Sequence, residues 1–364
     1  MKRKPNSLTL LALQKFKKNK IGVLSFWYII ICGLVAVFAY VVAPDNSSNA
    51  NQMHLEIHTK KPGFEVLMLN IPSKEISKQS FLNALLFGKK NQQVEIPISN
   101  YSISDNKLMV QVYAENHVQS LSKTYPLSKF LNKDISKFIK TKIFYLGTDK
   151  YGRDLLSRMI IGTRISFFIG FIAVFISLVI GISLGAIAGY FGGKVDAFIM
   201  WLINITWSIP TLLLVIAITL ALGKGFWQVF IAVGLTMWVE VARIVRGQIL
   251  STKKMQYIEA AKALGFSNFR IIFRHILPNI LAPIIVISAA NFAAAILIES
   301  GLSFLGIGAQ PPTPSWGAMI KDHYNYIILG KAYLAVIPGL AIMSLVMAFM
   351  LIGNALRDAL DVKN

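Results

Sequence analysis

The chain has 364 residues, of which 55% are hydrophobic and 15% charged, and its mean hydropathy is +0.57. Soluble domains carry about a quarter charged residues, so this composition excludes an ordinary soluble protein. The net charge of +20 is high enough for nucleic-acid binding. We nevertheless expect no nucleic-acid partner, because the lysines flank apolar runs and fill one polar segment. The chain has one cysteine, Cys32, so a disulfide framework is excluded. Cys32 lies in an apolar run.

Residues 1–20 hold seven Lys or Arg residues and a short amphipathic run, which predict a helix at the membrane surface. The apolar run that follows, 21–43, is long enough to cross a bilayer core of about 30 Å. A cleaved signal peptide is the alternative, but this run is longer than the usual apolar core of about 7–15 residues. We therefore assign residues 1–43 to an amphipathic helix and a first transmembrane helix.

Residues 44–146 are polar and rich in Lys, Asn, Ser and Gln. Three short runs alternate between apolar and polar residues, and the last two flank Ser104-Asp105-Asn106, a typical hairpin turn. Residues 119–140 have a helical pattern. We predict a small, mostly β extracytoplasmic insert with a helical tail. The apolar positions of the three runs are Phe64, Val66 and Met68; Val94, Ile96 and Ile98; and Leu108, Val110 and Val112.

The segment 147–167 begins with Gly147 and Asp149, and its apolar residues then fall on one face of a helix. This pattern predicts an interfacial helix that leads into the second span, with its charged residues facing water. The apolar residues are Leu155, Leu156, Met159 and Ile160, and the charged ones are Arg153, Asp154, Arg158 and Arg164.

Further apolar runs bring the number of predicted spans to six, so we expect an all-α polytopic membrane protein whose core occupies residues 147–364. The N-terminal tail and the loop Arg243–His275 each carry seven Lys or Arg residues, and six spans place both on the same side. Because basic loops stay in the cytoplasm, we predict that both termini are cytoplasmic. The additional runs are 165–189, 198–222, 226–242, 277–299 and 332–354.

The sequence shows no catalytic constellation. Gly189–Val195 lacks the leading glycine and the hydroxyl residue of a phosphate-binding loop, so we expect no nucleotide site in this chain. The group His54, Glu56 and His58 has metal-ligating side chains but no further partner, and chance placement on the surface is the favoured interpretation. We therefore expect no metal and no cofactor in this chain.

The predicted spans contain small, helix-breaking and polar residues instead of charges. Gly181, Gly185 and Gly189 recur every four residues, which favours close helix packing. A second set is a candidate lining for a translocation path, although hydrogen bonding between helices explains its polar members equally well. This set is Asn204, Ser208, Pro210 and Asn291.

The loop at about 250–279 is charged and amphipathic although it lies between two apolar runs. Residues 258–264 are strong helix formers, and Gly265 is placed to end that helix. Ser267 can cap a second helical run, and Pro278 marks where the chain enters the next span. The sequence therefore predicts a bent helical element suited to docking.

Several motifs together resemble those of permeases of binding-protein-dependent ABC importers. Glu259-Ala260-Ala261, then Gly265, then Leu277-Pro278 resembles the EAA loop of that family. His275 occupies the place two before Leu277, a variant that is similar to the dipeptide/oligopeptide/nickel subfamily. The likeness covers residues 1–43 loosely and 147–357 closely, whereas the insert is longer than the outer loop usual in the family. Further matching segments are Gly147–Asp149, Gly152–Asp154, Ser208–Pro210, Leu302–Gly306 and Gln310–Gly317.

The resemblance implies the type I importer permease fold and a partner assembly. Its other members would be a second homologous permease, two ATP-binding cassette ATPases that hold ATP and magnesium, and an extracytoplasmic substrate-binding protein. This chain itself would lie in the inner membrane. Residues 255–265 would form a coupling helix against an ATPase, in which Glu259 makes a polar contact and Gly265 the turn. We therefore call the loop at about 250–279 the coupling loop. Ala260 and Ala261 would allow close approach, and His275 and Pro278 complete the implied coupling set.

The implied activity is ATP-driven import of di- or oligopeptides by alternating access. Import of nickel chelates or another small solute by the same machinery is an alternative. An ATP-independent channel or secondary carrier is a second alternative, and a membrane-anchored enzyme acting through the insert is a third.

Overall fold

The structure is a computed structural model that describes residues 8–72, 79–89, 93–114, 121–130, 134–223 and 225–360. The first basic residues of the N-terminal tail and Lys224 lie outside this range. The described residues form two compact units. The helical unit takes in the chain up to Gly33, Ser166–Gln310 and the residues from Gly339 onward. The sheet unit takes in Leu34–Ile165 and Pro311–Pro338.

Helices dominate the described residues, as the apolar runs predict. The predicted first span is interrupted after Val37, and a short helix then follows it. The helices are α1 Leu8–Lys18, α2 Lys20–Val37, α3 Ala39–Val42, α4 Phe81–Phe87, α5 Leu155–Phe191, α6 Gly193–Ser208, α7 Thr211–Leu222, α8 Phe226–Thr252, α9 Gln256–Ala263, α10 Asn268–Arg270, α11 Leu281–Leu305, α12 Trp316–His323 and α13 Tyr333–Leu360.

Among the described residues, five helices are long and apolar enough to cross a membrane, and a bent pair brings the number to six if it counts as one span. The pair is α6 and α7, whose axes meet at 93°. Ile209 between them is extended, with φ −93° and ψ 128°. Proline disfavours the helical conformation in the residue before it and donates no backbone hydrogen bond, so Pro210 accounts for the break. The predicted third span is thus a broken helix.

The glycines of α5 bring its backbone against α8. A Cβ atom added at Gly181 would lie 2.5 Å from Cβ of Val241, and one at Gly185 would lie 2.5 Å from the carbonyl oxygen of Ala242. At Gly189 the obstacle is the carbonyl oxygen of Arg246, at 2.9 Å. All three distances are below ordinary van der Waals contact. The close packing predicted from the four-residue spacing is therefore confirmed.

The sheet unit contains a five-stranded antiparallel sheet in the order β4-β3-β2-β1-β5. The strands are β1 Phe64–Pro72, β2 Gln93–Ser104, β3 Lys107–Val112, β4 Ser122–Pro126 and β5 Ile139–Phe144. Asp105 and Asn106 join β2 to β3 with φ of 50° and 59°, as a tight hairpin turn requires. Leu69, Ile98 and Leu108 are buried in its core. The three alternating runs and their turn are therefore confirmed.

The predicted helical tail at 119–140 is wrong for the residues that the structure describes. Ser122–Pro126 pairs with β3, and Ile139–Phe144 pairs with β1. Between these strands, the described residues form two single-turn 3₁₀ helices, Leu127–Phe130 and Ile135–Lys137. Pairing with strands that are distant in the sequence overrode the local helical pattern. The sequence did not reveal these strands, because they are mostly exposed and show little hydrophobic alternation.

We expect Gly185→Ala to lower the thermal stability of the purified chain, because its methyl group would meet the backbone of Ala242. Overpacking of this kind destabilises by about 1–3 kcal/mol. The matched control is Gly247→Ala on α8, where an added Cβ atom meets nothing within 4 Å. Thermal unfolding in detergent should show a loss for Gly185→Ala and none for Gly247→Ala. Equal stability of the two variants would contradict the packing described.

Candidate functional site

The helix α9 has one face in the protein and one face in solvent. Ile258 and Ala261 are buried, whereas Glu259 and Ala260 are exposed. The two buried side chains belong to an apolar cluster that joins α9 to α5, α8 and the start of α11. This cluster holds one side of α9 against the helical unit and presents the other side outward. Its further buried members are Ala186, Tyr190, Val241, Val245, Ile249, Ile271, Ile272, Ile276, Ile280 and Ile284.

The turn after α9 is fixed by Gly265, whose φ is +75°. The Gly265 amide donates to the carbonyl oxygen of Lys262 at 2.9 Å, and the Phe266 amide donates to that of Ala261 at 3.2 Å. This hydrogen-bond pair is the Schellman arrangement, which requires a left-handed residue and so favours glycine. The predicted end of the helix at Gly265 is confirmed.

The second half of the loop is helical without interruption. The Ser267 hydroxyl oxygen accepts a hydrogen bond from the Arg270 amide at 3.4 Å, which confirms the predicted cap. After α10 the chain forms a π-helix, Ile271–Ile276, and a 3₁₀ turn, Leu277–Ile280, before α11 begins. Pro278 thus lies inside a distorted helical run, and it does not separate the loop from the next span. Proline has no backbone N–H, so the helical hydrogen bond to the carbonyl four residues earlier cannot form, which is consistent with the distorted helix around it.

His275 lies in the π-helical turn, where its ring stacks on Phe266 with a centroid distance of 5.7 Å. The Arg270 guanidinium lies 4.1 Å from the centre of the same Phe266 ring. The Asn279 side-chain amide donates to the His275 carbonyl oxygen at 2.6 Å and to the Tyr257 hydroxyl at 3.2 Å. These contacts hold the two arms of the bend together.

Polar contacts also tie the coupling loop to the helices around it. The Tyr190 hydroxyl on α5 donates to Oδ1 of Asn268 at 2.8 Å, and Nζ of Lys253 donates to the Tyr190 carbonyl oxygen. Near the same end of α8, Arg246 makes a bidentate ion pair with Asp196 of α6, at 2.5 and 2.6 Å. The loop is therefore anchored on several helices, which suits it to transmit a rigid-body movement.

The candidate path residues fall into two groups. Asn204, Ser208 and Pro210 are exposed at and before the break between α6 and α7. Asn291, by contrast, is buried in α11, and its Nδ2 makes no hydrogen bond to any residue that the structure describes. The structure therefore gives Asn291 a different environment from the other three. The role of the whole set stays a prediction.

A buried charged network in the sheet unit escaped the sequence analysis. Asp149 is fully buried, and its Oδ2 accepts from Nε of Arg153 at 2.6 Å. Nε of Arg158 lies 3.6 Å from the same oxygen. Arg153, Asp154 and Arg158 are all buried, so the expectation that they face water is wrong. They turn inward because Asp149 and polar groups of the chain replace the water that their charges need.

The same network fixes the loop around Gly152. The Asp149 side chain accepts from the amides of Tyr151 and Arg153 at 2.8 and 3.0 Å. Gly152 has φ +71°, and a Cβ atom there would overlap the His54 carbonyl oxygen. Only glycine fits, which explains the spacing of Gly152 and its charged neighbours.

Asp154 caps the first turn of α5. Its Oδ2 accepts from the Ser157 amide at 3.0 Å and from the Ser157 hydroxyl. The Ser157 Oγ in turn accepts from the Asp45 amide at 2.8 Å. Burial raises the pKa of the Asp154 carboxyl above its ordinary value, while the hydrogen bonds from Ser157 act in the opposite direction. The sequence signal that could have revealed this network is the Asp149–Arg153 pair at i and i+4 around a glycine.

A bundle of apolar helices with a bent helix pair and an exposed, firmly anchored loop helix is the architecture of a polytopic membrane protein. The chain belongs to the family of binding-protein-dependent transport system inner membrane components, whose model matches residues 181–363. A second model, the N-terminal transmembrane domain of oligopeptide transport permease C, matches residues 7–62. The chain is therefore a permease subunit of an ABC importer, with the type I permease fold and a small sheet insert.

The chain is similar to several characterised permeases. It is 41% identical over 219 residues to the glutathione transport system permease GsiD of Pectobacterium atrosepticum, covering 60% of this chain and 72% of that one. It is 43% identical over 219 residues to the dipeptide transport system permease DppC of Alkalihalophilus pseudofirmus, again covering 60% and 72%. A chain of the inward-facing MetNI methionine ABC transporter is 18% identical, with a TM-score of 0.47 over 56% of this chain and 95% of that one.

We expect Asp149→Asn to destabilise the chain strongly, because it removes the carboxylate that contacts the buried Arg153 and Arg158 guanidinium groups. Removal of one partner from a buried ion pair typically destabilises by about 3–5 kcal/mol. Asp322→Asn is the control, because Asp322 pairs with Lys150 at 3.0 Å where both side chains are partly exposed. That change should shift stability by less than about 1 kcal/mol. Thermal unfolding of the purified variants checks this, and similar losses for both would overturn the distinction.

Proposed function

We propose that this chain forms half of the translocation pathway of an ATP-driven importer for di- or oligopeptides, working by alternating access. The observation that carries the proposal is the division of α9 into a buried face and an exposed face. Ile258 and Ala261 fasten the helix to the membrane helices, while Glu259 and Ala260 remain exposed for a partner. A helix held in this way can receive a push at its exposed face and pass it to α8 and α11.

In the proposed assembly, α9 docks on one of two ATP-binding cassette ATPases. Glu259 makes a polar contact with that subunit and Ala260 allows close approach. Ala261, which is buried within its own chain, supports the helix from behind. Gly265 sets the angle of the turn, and His275 and Pro278 shape the segment that returns to the membrane. ATP and magnesium bind to the ATPases, and this chain contributes no nucleotide site.

The remaining proposed partners are a second homologous permease and an extracytoplasmic binding protein that delivers the substrate. The names of the similar permeases, which refer to dipeptides, oligopeptides and glutathione, support a peptide substrate. Asn204, Ser208 and Pro210 are exposed at the broken span, as residues that face a partner permease or a path would be. Broken helices in transporters supply backbone polar groups to such paths.

We place this chain in the inner membrane with both termini and the coupling loop on the cytoplasmic side. The seven basic residues at the N-terminus and the seven in the loop Arg243–His275 support this orientation. The insert then lies outside, where it can meet the binding protein.

Glu259→Lys and Gly265→Asp should each abolish co-purification of the ATPase and uptake of labelled peptides. The first reverses a charge on the exposed face of α9, and the second puts a side chain at a left-handed turn. The control is Glu65→Lys, which reverses an exposed charge on β1 of the sheet unit and should change neither result. Uptake that persists in both loop variants and needs no ATP would falsify the importer assignment and favour a channel or carrier.

The same uptake assay tests the substrate class. Unlabelled di- and oligopeptides should compete with the labelled peptide, whereas nickel chelates should not. Competition by nickel chelates alone would keep the importer mechanism and replace the proposed substrate.

The orientation predicts a difference in cysteine labelling by a membrane-impermeant maleimide. In a Cys32→Ser background, Leu264→Cys in the coupling loop should stay unlabelled in intact spheroplasts and react after lysis. Met109→Cys on β3 should react in both states. Both wild-type side chains are exposed in the chain, so accessibility to the reagent reports the side of the membrane. The reverse pattern would show that the chain is inserted the other way.

A further inference from the structure

The short helix α4 of the sheet unit is apolar nearly all round. Its sequence, FLNALLF, contains one polar residue, Asn83, and none of its seven residues is buried. A helix in water keeps polar residues on its exposed side, whereas one that is apolar all round is surrounded by protein or lipid. The exposed large side chains are Phe81 at 74%, Leu82 at 64%, Leu86 at 48% and Phe87 at 65%.

The inner side of α4 packs against the end of the first span. Ala84 and Leu85 are half-buried, and the helix contacts α3. After α4, Gly88 lies so close to Tyr40 that a Cβ atom there would be 2.8 Å from its ring. The Lys89 amide then donates to the Asn46 carbonyl oxygen at 2.8 Å. These contacts fix α4 beside the residues that follow α2, the first membrane-spanning helix.

Arg164 links α4 to α5 at the start of the apolar part of α5. It lies on α5, nine residues after Leu155, and its Nη1 donates to the Leu85 carbonyl oxygen at 3.3 Å. Its guanidinium also lies 5.5 Å from the Tyr40 ring centre. With 37 residues, α5 is about 55 Å long at 1.5 Å per residue, well beyond a hydrocarbon core of about 30 Å. The uninterrupted apolar part begins after Arg164, and a charge is stable at the edge of the core. The hydrogen bond from Arg164 therefore holds α4 beside the start of this apolar run.

The apolar surface of α4 adjoins further exposed hydrophobic side chains. Phe38, Val41 and Val42 are large exposed hydrophobic residues directly after α2, and α3, which contains Val41 and Val42, contacts α4. In the sequence, Lys78 precedes the helix, and Lys89 and Lys90 follow it. Lysines beside an apolar helix suit the anionic headgroups of a bilayer.

We propose that α4 is an interfacial membrane anchor that lies in the leaflet where α2 ends. Phe81, Leu82, Leu86 and Phe87 enter the acyl chains, the backbone lies at the headgroup level, and Arg164 holds the helix there through the Leu85 carbonyl. The anchor holds the insert to the bilayer surface beside the first span. The lipid bilayer is thus a direct partner of the insert, independently of which substrate is carried.

The test measures the depth of spin labels on the full-length chain in vesicles of phosphatidylethanolamine and phosphatidylglycerol. Single-cysteine variants Phe81→Cys and Phe87→Cys are made in a Cys32→Ser background and labelled with a nitroxide. Power saturation then compares collisions with oxygen, which concentrates in lipid, and with a water-soluble nickel chelate. Leu24→Cys on the exposed face of α2 gives the lipid reference, and Met109→Cys and Tyr101→Cys on the sheet give the water reference.

Labels at positions 81 and 87 should collide several-fold more with oxygen than with the nickel chelate, as the label at position 24 does. Collisions like those at positions 101 and 109 would show that α4 lies in water and would overturn the proposal. Labels that neither reagent reaches would overturn it as well, because another protein surface would then cover the helix. Since two positions on different sides of α4 are probed, one misfolded variant does not decide the outcome.

Discussion

The close approach of α5 to α8 is the constraint on which the coupling loop depends. Three glycines one helical turn apart let the α5 backbone meet Val241, Ala242 and the Arg246 carbonyl. In a membrane, helices gain little from hydrophobic exclusion, so packing of this kind must supply the association. The apolar cluster at this end of the interface includes Tyr190 and Ile249 and extends to the buried face of α9. The loop helix is therefore positioned by the same surface that joins the spans.

The loop before α5, in the sheet unit, is held by a different kind of interaction. Asp149 and two arginines are withdrawn from water, and their attraction must offset a desolvation penalty of several kcal/mol per ion. Replacement by apolar residues of equal volume can stabilise such a site, so net stability is a weak explanation for it. The directed hydrogen bonds that the Asp149 carboxylate accepts from three donors instead fix one conformation of the loop before α5. The glycine at position 152 completes this fit, because any side chain would overlap the His54 carbonyl oxygen.

Two departures from regular helix lie where the chain must change direction or adjust its contacts. The break at Ile209-Pro210 divides α6 from α7, and the π-helix at Ile271–Ile276 precedes Pro278 in the coupling loop. In each case a proline removes a backbone donor and leaves carbonyl groups that need other partners. Inside a membrane such groups are tolerated only where protein or a water-filled cavity meets them. The break at Ile209-Pro210 therefore identifies a place where this chain meets something other than lipid, whereas at the proposed cytoplasmic position of the coupling loop water can meet such groups.

The sequence by itself determined the features that depend on composition and local geometry. The apolar runs indicated the spans because their length matches a bilayer, and the alternating runs predicted three strands and the turn at Asp105-Asn106. Gly265 and Ser267 were predictable as turn and cap because a left-handed conformation and an N-cap favour few residue types. The motif Glu259-Ala260-Ala261 with Gly265 and Leu277-Pro278 indicated the family before any geometry was known.

Tertiary structure alone decided the features that depend on distant partners. The strands β4 and β5 pair with β3 and β1, and their own residues carry too little alternation to show it. The sequence predicts that Arg153 and Arg158 face water, because charged side chains normally do. In the structure both are buried, because they pair with the buried Asp149. The same applies to α9, whose adjacent alanines differ: Ala261 is buried and Ala260 exposed. A residue's type sets which environments it tolerates, but the environment itself is supplied by chain segments that local sequence does not specify.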